Sequence, residues 1–149
     1  MAKSVPRRPA GLTTADYDRL AAFRYALRRF LHFSDSAATG VGLTGQQYQA
    51  MLAIRSMDAR GPVTINDLAR QLLIRHNSAV GLVDRLVAQG LMIRERMSED
   101  RRKARLRLSA KGEEVLGRLA SVHRLKLGRI GPDINRILVE LAGPWRRDR

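Results

Sequence analysis

The chain has 149 residues, which is the size of one domain, and its 28 lysines and arginines against 14 acidic residues give a net charge of +14. It contains no cysteine, which excludes a disulfide framework, a thiolate zinc site and a cysteine redox switch. The positive charge favours a polyanionic partner, nucleic acid ahead of an acidic membrane, although a merely arginine-rich soluble protein is the plain alternative.

The N-terminal region predicts a flexible arm over residues 1 to about 12 and then a helix from Ala15 to Ser34, capped by Thr13 or Thr14. The apolar residues of this helix cover more than one stripe: Tyr17, Leu20, Ala21, Phe23, Leu27, Phe30 and Leu31. Since a surface helix needs only one apolar stripe, this helix is expected to pack against a second chain as well. Residues 35–42, with two glycines, predict a loop.

The next segment predicts a second helix that leads towards a strand. Thr44 and Gln47 form a capping-box pattern, which opens a helix from Gly45 to about Met57. Residues 60–62, Arg-Gly-Pro, end this helix region because glycine and proline break regular structure. Val63 is predicted to form a brief strand that pairs with a later hairpin.

A helix-turn-helix pattern follows. The first helix is predicted over Thr64 to Leu73, and its apolar residues recur at helical spacing: Ile65, Leu68, Ala69 and Leu72. The second helix is predicted from about Asn77 to Gln89, and Gly90 ends it because glycine tolerates the left-handed conformation found there. The predicted apolar face of this second helix consists of Ala79, Val83, Leu86 and Val87.

Two short strands are predicted next, over 91–96 and 105–108, and the second alternates leucine with arginine as a half-buried strand does. The loop between them is rich in basic residues. A hairpin with a basic tip beside a helix-turn-helix is a winged helix. A helix fits the DNA major groove, and a thin basic loop can enter the minor groove or clamp phosphates.

The C-terminal region predicts two helices. Ser109 is expected to cap a long helix to about Ile130, and Gly131-Pro132-Asp133 is expected to break it. Ile134, Ile137, Leu138 and Leu141 then follow at amphipathic helical spacing until Gly143-Pro144, and residues 144–149 form a basic tail. Surplus apolar helix at both ends predicts a homodimer, which would place two recognition helices roughly 34 Å apart on DNA. A monomeric helical bundle is the alternative.

Several motifs, in this order and spacing, resemble the MarR family of bacterial winged-helix transcription regulators. They are Asn77–Leu86, Gly90-Leu91, Arg94, Asp100-Arg101-Arg102 and Leu108–Gly112. The resemblance implies a mainly α fold with a small β-hairpin wing within a single domain, 1–149. In that fold a winged helix-turn-helix lobe at 44–112 is flanked by dimerisation helices at 13–42 and 113–143.

Candidate DNA-binding residues lie on the second helix and on the wing. Those of the recognition helix are Arg75, His76, Asn77, Ser78 and Arg85. Amide and guanidinium groups suit bidentate contacts with bases, while serine more often holds phosphate. The resemblance implies that the wing residues Arg101, Arg102 and Lys103 reach DNA and that Asp100 braces the loop. The plain alternatives are a salt bridge of Arg85 with Asp84 or a wing acid, and a solvated charged turn.

The sequence predicts neither an enzyme nor a cofactor. It has no glycine-rich phosphate loop, nucleophile elbow or pair of carboxylates, and His32, His76 and His123 lack the spacing of metal ligands. No apolar run approaches the ~20 residues of a membrane span, and no signal core follows the basic N-terminus. A cytoplasmic protein without a membrane partner is therefore expected.

The resemblance further implies a repressor of a palindromic operator, modulated by a small aromatic or phenolic ligand. Phe30, Phe33, Met51 and Arg55 are the candidate pocket residues, and ordinary core or surface roles are the alternative for each. A second function stays open, in which a ligand-independent winged-helix protein binds nucleic acid non-specifically or architecturally. Val80 and Gly81 favour it, because many family members carry polar or basic residues there. A third possibility, an enzyme or a membrane-surface protein, has no motif in its support.

Overall fold

The structure is a computed structural model that describes residues 11–97 and 104–145. Its elements in chain order are α1 (Thr14–Thr39), α2 (Gly45–Asp58), α3 (Ile65–Leu72), α4 (His76–Ala88), β1 (Met92–Arg96), β2 (Ala104–Leu108) and α5 (Ala110–Trp145). The predicted mainly α fold with a small β-hairpin is confirmed. The chain divides into two compact units: Phe33–Leu125, and the terminal segments Met1–His32 with Lys126–Arg149.

The Phe33–Leu125 unit is built on a continuous hydrophobic core. Its largest fully buried side chains are Met51, Ile54, Val63, Leu68, Leu82, Val83, Leu86 and Leu106. These residues come from α2, α3, α4, β2 and the residue that bridges to β2, so each element of the winged helix buries one face in the same core. The core therefore fixes the orientation of α4, whose other face is left for a partner.

Side-chain caps start the first three helices. Thr44 with Gln47 and Thr64 with Asp67 form complete capping boxes at α2 and α3, in which each side chain bonds to the backbone N–H of the other residue. Thr13 caps α1 through Asp16, whose carboxylate accepts from the Thr13 backbone N–H at 2.9 Å. The predicted helix starts are confirmed because this chemistry is local to the sequence.

The predicted loop over 35–42 was wrong in its first half, since α1 continues to Thr39. Ser34 and Ala38 are buried, and Thr39 donates a hydrogen bond from its hydroxyl to the Asp35 carbonyl at 2.9 Å. Alanine is the best helix former, and burial of Ala38 adds packing to that preference. The chain leaves the helix through Gly42, whose φ of 80° suits glycine.

The predicted break at Gly131-Pro132-Asp133 was also wrong, because α5 is continuous to Trp145. Proline in a helix interior removes one hydrogen bond and crowds the preceding turn, but burial on either side can offset that cost. Residues on one face of α5 recur as half-buried positions on both sides of the proline: Lys126, Ile130, Ile134, Ile137 and Leu141. This face keeps one helical phase through the proline.

The two strands form an antiparallel hairpin whose pairing runs from Met92–Leu108 at the base to Arg96–Ala104 nearest the tip. Val63 extends the hairpin by an isolated bridge to Leu106, whose backbone N–H donates to the Val63 carbonyl at 2.8 Å. The predicted pairing of Val63 with the wing is confirmed. None of the helices in the described ranges is long and apolar enough to cross a membrane.

Candidate nucleic-acid interface

The turn between α3 and α4 depends on a left-handed leucine. Leu73 has a φ of 55°, and its backbone N–H bonds to the carbonyls of Ala69 and Arg70 at the end of α3. Its side chain is 93% exposed, so burial does not explain why leucine occupies this position. The turn leads through Ile74 to Arg75, the N-cap residue of α4, which forms no side-chain capping hydrogen bond. The first backbone N–H groups of α4 therefore lack a side-chain acceptor at the cap.

α4 has one buried face and one face directed away from the core. The buried residues are Ala79, Leu82, Val83 and Leu86. The prediction had included Val87, which is exposed, and had omitted Leu82. Residues of a helix advance by about 100° each, so Leu82 lies about 40° beyond Leu86 on one side of this face and Val87 about 40° beyond Val83 on the other. Helical phase alone therefore does not distinguish them, and the packing of the neighbouring elements buries Leu82.

All five predicted recognition-helix residues are exposed: Arg75, His76, Asn77, Ser78 and Arg85. His76 is held in position by Asn66 of α3, since its Nδ1 donates to the Asn66 amide oxygen at 2.7 Å. Among the residues that the structure describes, Asp84 pairs with Arg94 of β1, and no salt bridge involves Arg85. The side chain of Arg85 is thus available for an external acceptor, while the acidic Asp84 is neutralised.

Ion pairs stabilise the two strands of the hairpin. Arg105 of β2 contacts Asp58 at the end of α2 at 2.8 Å, and Arg107 contacts Glu95 across the two strands at 3.3 Å. The wing residues Asp100, Arg101, Arg102 and Lys103 lie outside the described residues. Their proposed roles in DNA binding and loop bracing remain predictions.

A compact junction joins the end of α4 to the start of α5. The Ser109 hydroxyl donates to the Gly90 carbonyl at 2.6 Å and accepts from the backbone N–H of Gly112 at 3.0 Å, so Ser109 is the predicted cap of α5. Lys111 donates to the Gln89 carbonyl at 3.3 Å. A Cβ added to Gly112 would lie 2.1 Å from the Leu91 carbonyl oxygen, so this close approach requires glycine.

Two ionisable side chains near this interface have shifted pKa values. The Thr64 backbone N–H, more than any other group, lowers the pKa of the Asp67 carboxyl, and bonds from the Thr64 hydroxyl and Arg70 act in the same direction. Burial raises the pKa of the Tyr48 phenol. Asp67 therefore caps α3 as a carboxylate, and Tyr48 stays neutral within the unit.

Sequence reasoning missed a buried histidine. His123 is only 5% exposed, and its ring stacks on Tyr48 at 4.3 Å and meets Phe33 edge-on at 5.5 Å. Its Nδ1 lies 2.6 Å from the Leu119 carbonyl oxygen, which can only accept, so Nδ1 carries a proton. Nε2 lies 2.8 Å from the Ser34 hydroxyl. The signal in the sequence was spacing, since His123 follows the buried Leu116 and Leu119 at seven and four residues.

The predicted ligand-pocket residues have different surroundings. Met51 is fully buried in the core, and the exposed Arg55 pairs with Glu113 at 3.0 Å. Phe33 lies against His123, as described above. Phe30 lines a small cleft of about 100 Å³ in the unit formed by the terminal segments. No cluster of three metal-ligating side chains is found within residues 11–97 and 104–145.

Proteins of similar sequence are transcriptional regulators with a helix-turn-helix. Residues 41–103 match the model of the MarR family. The HTH-type transcriptional regulator FarR of Neisseria gonorrhoeae is 34% identical over 73 residues, which cover 49% of this chain and 48% of FarR. The chain spans about half the length of the curated relatives it matches.

Solved structures share the fold at low sequence identity. AbsC, a MarR family transcriptional regulator from Streptomyces coelicolor, is 20% identical with a TM-score of 0.73, covering 91% of this chain and 93% of AbsC. The transcriptional repressor CouR, bound to a 23-mer DNA duplex, is 24% identical with a TM-score of 0.67, covering 93% of this chain and 100% of CouR. Over residues 41–103, which include the helix-turn-helix and the first strand of the wing, this chain is similar to the MarR family, and it shares the fold of these solved structures.

Proposed function

We propose that the protein is a homodimeric transcriptional regulator that binds a palindromic site on double-stranded DNA. The observation that carries this proposal is the start of α4, where Arg75, His76, Asn77 and Ser78 are exposed and no side chain caps the helix. Backbone N–H groups and basic side chains at a helix start attract phosphate, and the adjacent amide and hydroxyl can bond to base edges. Arg85, exposed and free of salt bridges to described residues, extends this surface by two turns of the helix.

The relatives support the same activity. FarR is a transcriptional regulator of the helix-turn-helix type, and CouR is a repressor whose structure contains a DNA duplex. The net charge of +14 favours association with DNA, because released counterions drive the binding of cations to phosphates. We take repression as the direction of regulation, since a bound dimer occludes a promoter.

Exposed apolar side chains support the homodimer. On α1, Tyr17 is 61% exposed, and on α5, Leu125 and Val139 are 69% and 61% exposed. Further large apolar residues are exposed on the same two helices: Leu20, Tyr25, Leu27, Leu31, Val122, Leu127 and Leu138. Exposed apolar surface of this extent is typical of an interface, and a second copy of these helices would cover it.

A small aromatic or phenolic anion would modulate DNA affinity by favouring one arrangement of the dimer over another. Titration with salicylate-like compounds tests this part of the proposal. Binding predicts a rise in thermal stability together with weaker DNA binding, and the absence of both effects would remove the ligand from the proposal.

The alternative function is ligand-independent, non-specific binding of nucleic acid. Val80 and Gly81 favour it, because neither residue can form a hydrogen bond through its side chain to a base. The two functions differ in the ratio of specific to non-specific affinity, which is typically 10³ to 10⁷ for specific regulators and near unity for architectural proteins.

Selection from sheared host DNA at physiological salt distinguishes them. Purified protein that enriches one palindrome supports the regulator, whereas uniform recovery of fragments supports the alternative. Asn77→Ala is the matched variant, because Asn77 is exposed and makes no side-chain hydrogen bond to a described residue. It should retain the fold and lose the enrichment if α4 reads the bases.

A further inference from the structure

Gly81 lies in the middle of α4, on the side opposite the core. It follows the buried Ala79 by two residues, which is a rotation of about 200° around the helix. Glycine is a poorer helix former than any residue except proline. A glycine at this position therefore weakens α4.

The described part of the chain does not require a glycine at this position. A Cβ added to Gly81 would meet no described atom within 4 Å, in contrast to Gly112, where it would collide with the Leu91 carbonyl. Gly81 also lacks the positive φ that explains Gly90 at the end of the same helix. Neither packing among the described residues nor backbone conformation requires a glycine at position 81, whereas close approach of an external partner to this face of α4 would.

The surroundings of Gly81 suggest what approaches it. Its neighbours one turn before and after on the same face are Asn77, Ser78, Asp84 and Arg85, and all four are exposed. In a helix interior the backbone N–H and C=O of Gly81 bond within the helix, which leaves a methylene group as its outward surface. A methylene can only make an apolar contact. In the DNA major groove the apolar group is the 5-methyl group of thymine.

We propose that Gly81 is a specificity-determining position at which the bare backbone of α4 accepts the 5-methyl group of a thymine. This inference rests on the proposed function, since it requires α4 to enter the major groove. The missing side chain lets the helix approach the base pair closely, while Asn77 and Arg85 on either side provide hydrogen bonds. Gly81 then reads sequence by shape, which differs from the non-specific role that its lack of polar atoms suggests.

A pair of glycine-to-alanine variants tests the proposal on the palindrome selected from host DNA. Gly81→Ala and the control Gly117→Ala both replace a helical glycine whose added Cβ meets no described atom within 4 Å. Both should raise the melting temperature by about 2–4 °C. Only Gly81→Ala should weaken operator binding, by about tenfold, while non-specific duplex binding stays unchanged.

Replacing each operator thymine by deoxyuridine, which lacks the methyl group, identifies the contact. The wild-type protein should lose affinity at one thymine position in each half-site, and Gly81→Ala should be insensitive to that replacement. Operator affinity that survives Gly81→Ala, or equal sensitivity of both proteins at every thymine, overturns the proposal for Gly81 and leaves the regulator intact. A wild-type protein with no sequence preference overturns both.

Discussion

Gly112, in the first turn of α5, lies against the backbone carbonyl of Leu91, between α4 and β1. Gly112→Ala would push a Cβ against the Leu91 carbonyl oxygen, a backbone atom that cannot rotate away. We expect the free energy of unfolding to fall by about 1–3 kcal/mol, the usual cost of overpacking. Urea unfolding measures it, and Gly117→Ala, which fills open space, should instead gain about 0.5–1 kcal/mol. Equal stability of the two variants would contradict the close approach.

Leu73 is the reverse case, because its left-handed backbone conformation favours glycine and the residue present is leucine. Its left-handed backbone costs about 1 kcal/mol relative to glycine, and its exposed side chain recovers little by burial. Leu73→Gly should therefore raise the urea midpoint with an unchanged slope. A lower midpoint would mean that the leucine side chain stabilises the turn by a contact with another part of the assembled protein.

At the residue scale, the sequence predicted the exposed face of α4 better than the buried contact between His123 and Ser34. Asn77, Ser78 and Arg85 lie where helical periodicity puts them. His123 was missed because its partner Ser34 is distant in sequence, and only packing brings the two side chains together. Leu73 was missed because a left-handed leucine contradicts local preference.

Among the elements, α3 has a pH-dependent cap. The pKa of Asp67 is lowered from 3.8, mainly by the hydrogen bond from the Thr64 backbone N–H. The ionised form of this carboxyl is therefore more favoured in the folded state than in the unfolded chain. A carboxyl whose pKa is lowered by folding stabilises the folded state above pH 3.8, and this stabilisation is lost as the pH falls through the pKa of the folded state. The Asp67 carboxylate therefore stabilises the protein at neutral pH and ceases to do so at acidic pH.

Asp67→Asn isolates this effect. We expect the variant to be less stable than wild type at neutral pH by up to about 1 kcal/mol, because an amide caps a helix without the charge. The difference should shrink below about pH 4 as the wild-type carboxyl takes up a proton. Chemical unfolding at a series of pH values measures both. A gap that stays constant through acid would show that Asp67 does not act as a carboxylate.

At this same scale the sequence predicted helix starts well and helix ends poorly. The starts at Thr44 and Thr64 are encoded by residues three positions apart, so local chemistry suffices. The end of α1 and the continuity of α5 through Pro132 depend on which side chains become buried. Glycine and proline signal a break, but tertiary packing decides whether the break occurs.

For the whole molecule, the homodimer leads to a test on α5. Leu138 is 44% exposed, and Leu138→Asp would place a charge in the proposed apolar interface. The variant should sediment as a monomer at concentrations where wild type is a dimer. Ser56→Asp is the control, since it adds the same charge to an exposed polar position of α2, outside the proposed interface on α1 and α5. A Leu138→Asp protein that remains a dimer would remove this part of α5 from the interface.

The buried imidazole of His123 also gives the molecule an internal spectroscopic reporter. The chain has three histidines, and the other two, His32 and His76, are exposed. The ring current of Tyr48, stacked 4.3 Å away, should move the imidazole C–H resonances of His123 away from those of the other two. Because this ring contacts α1 through Ser34 and α2 through Tyr48, its proton spectrum should follow any rearrangement of those helices without an introduced label.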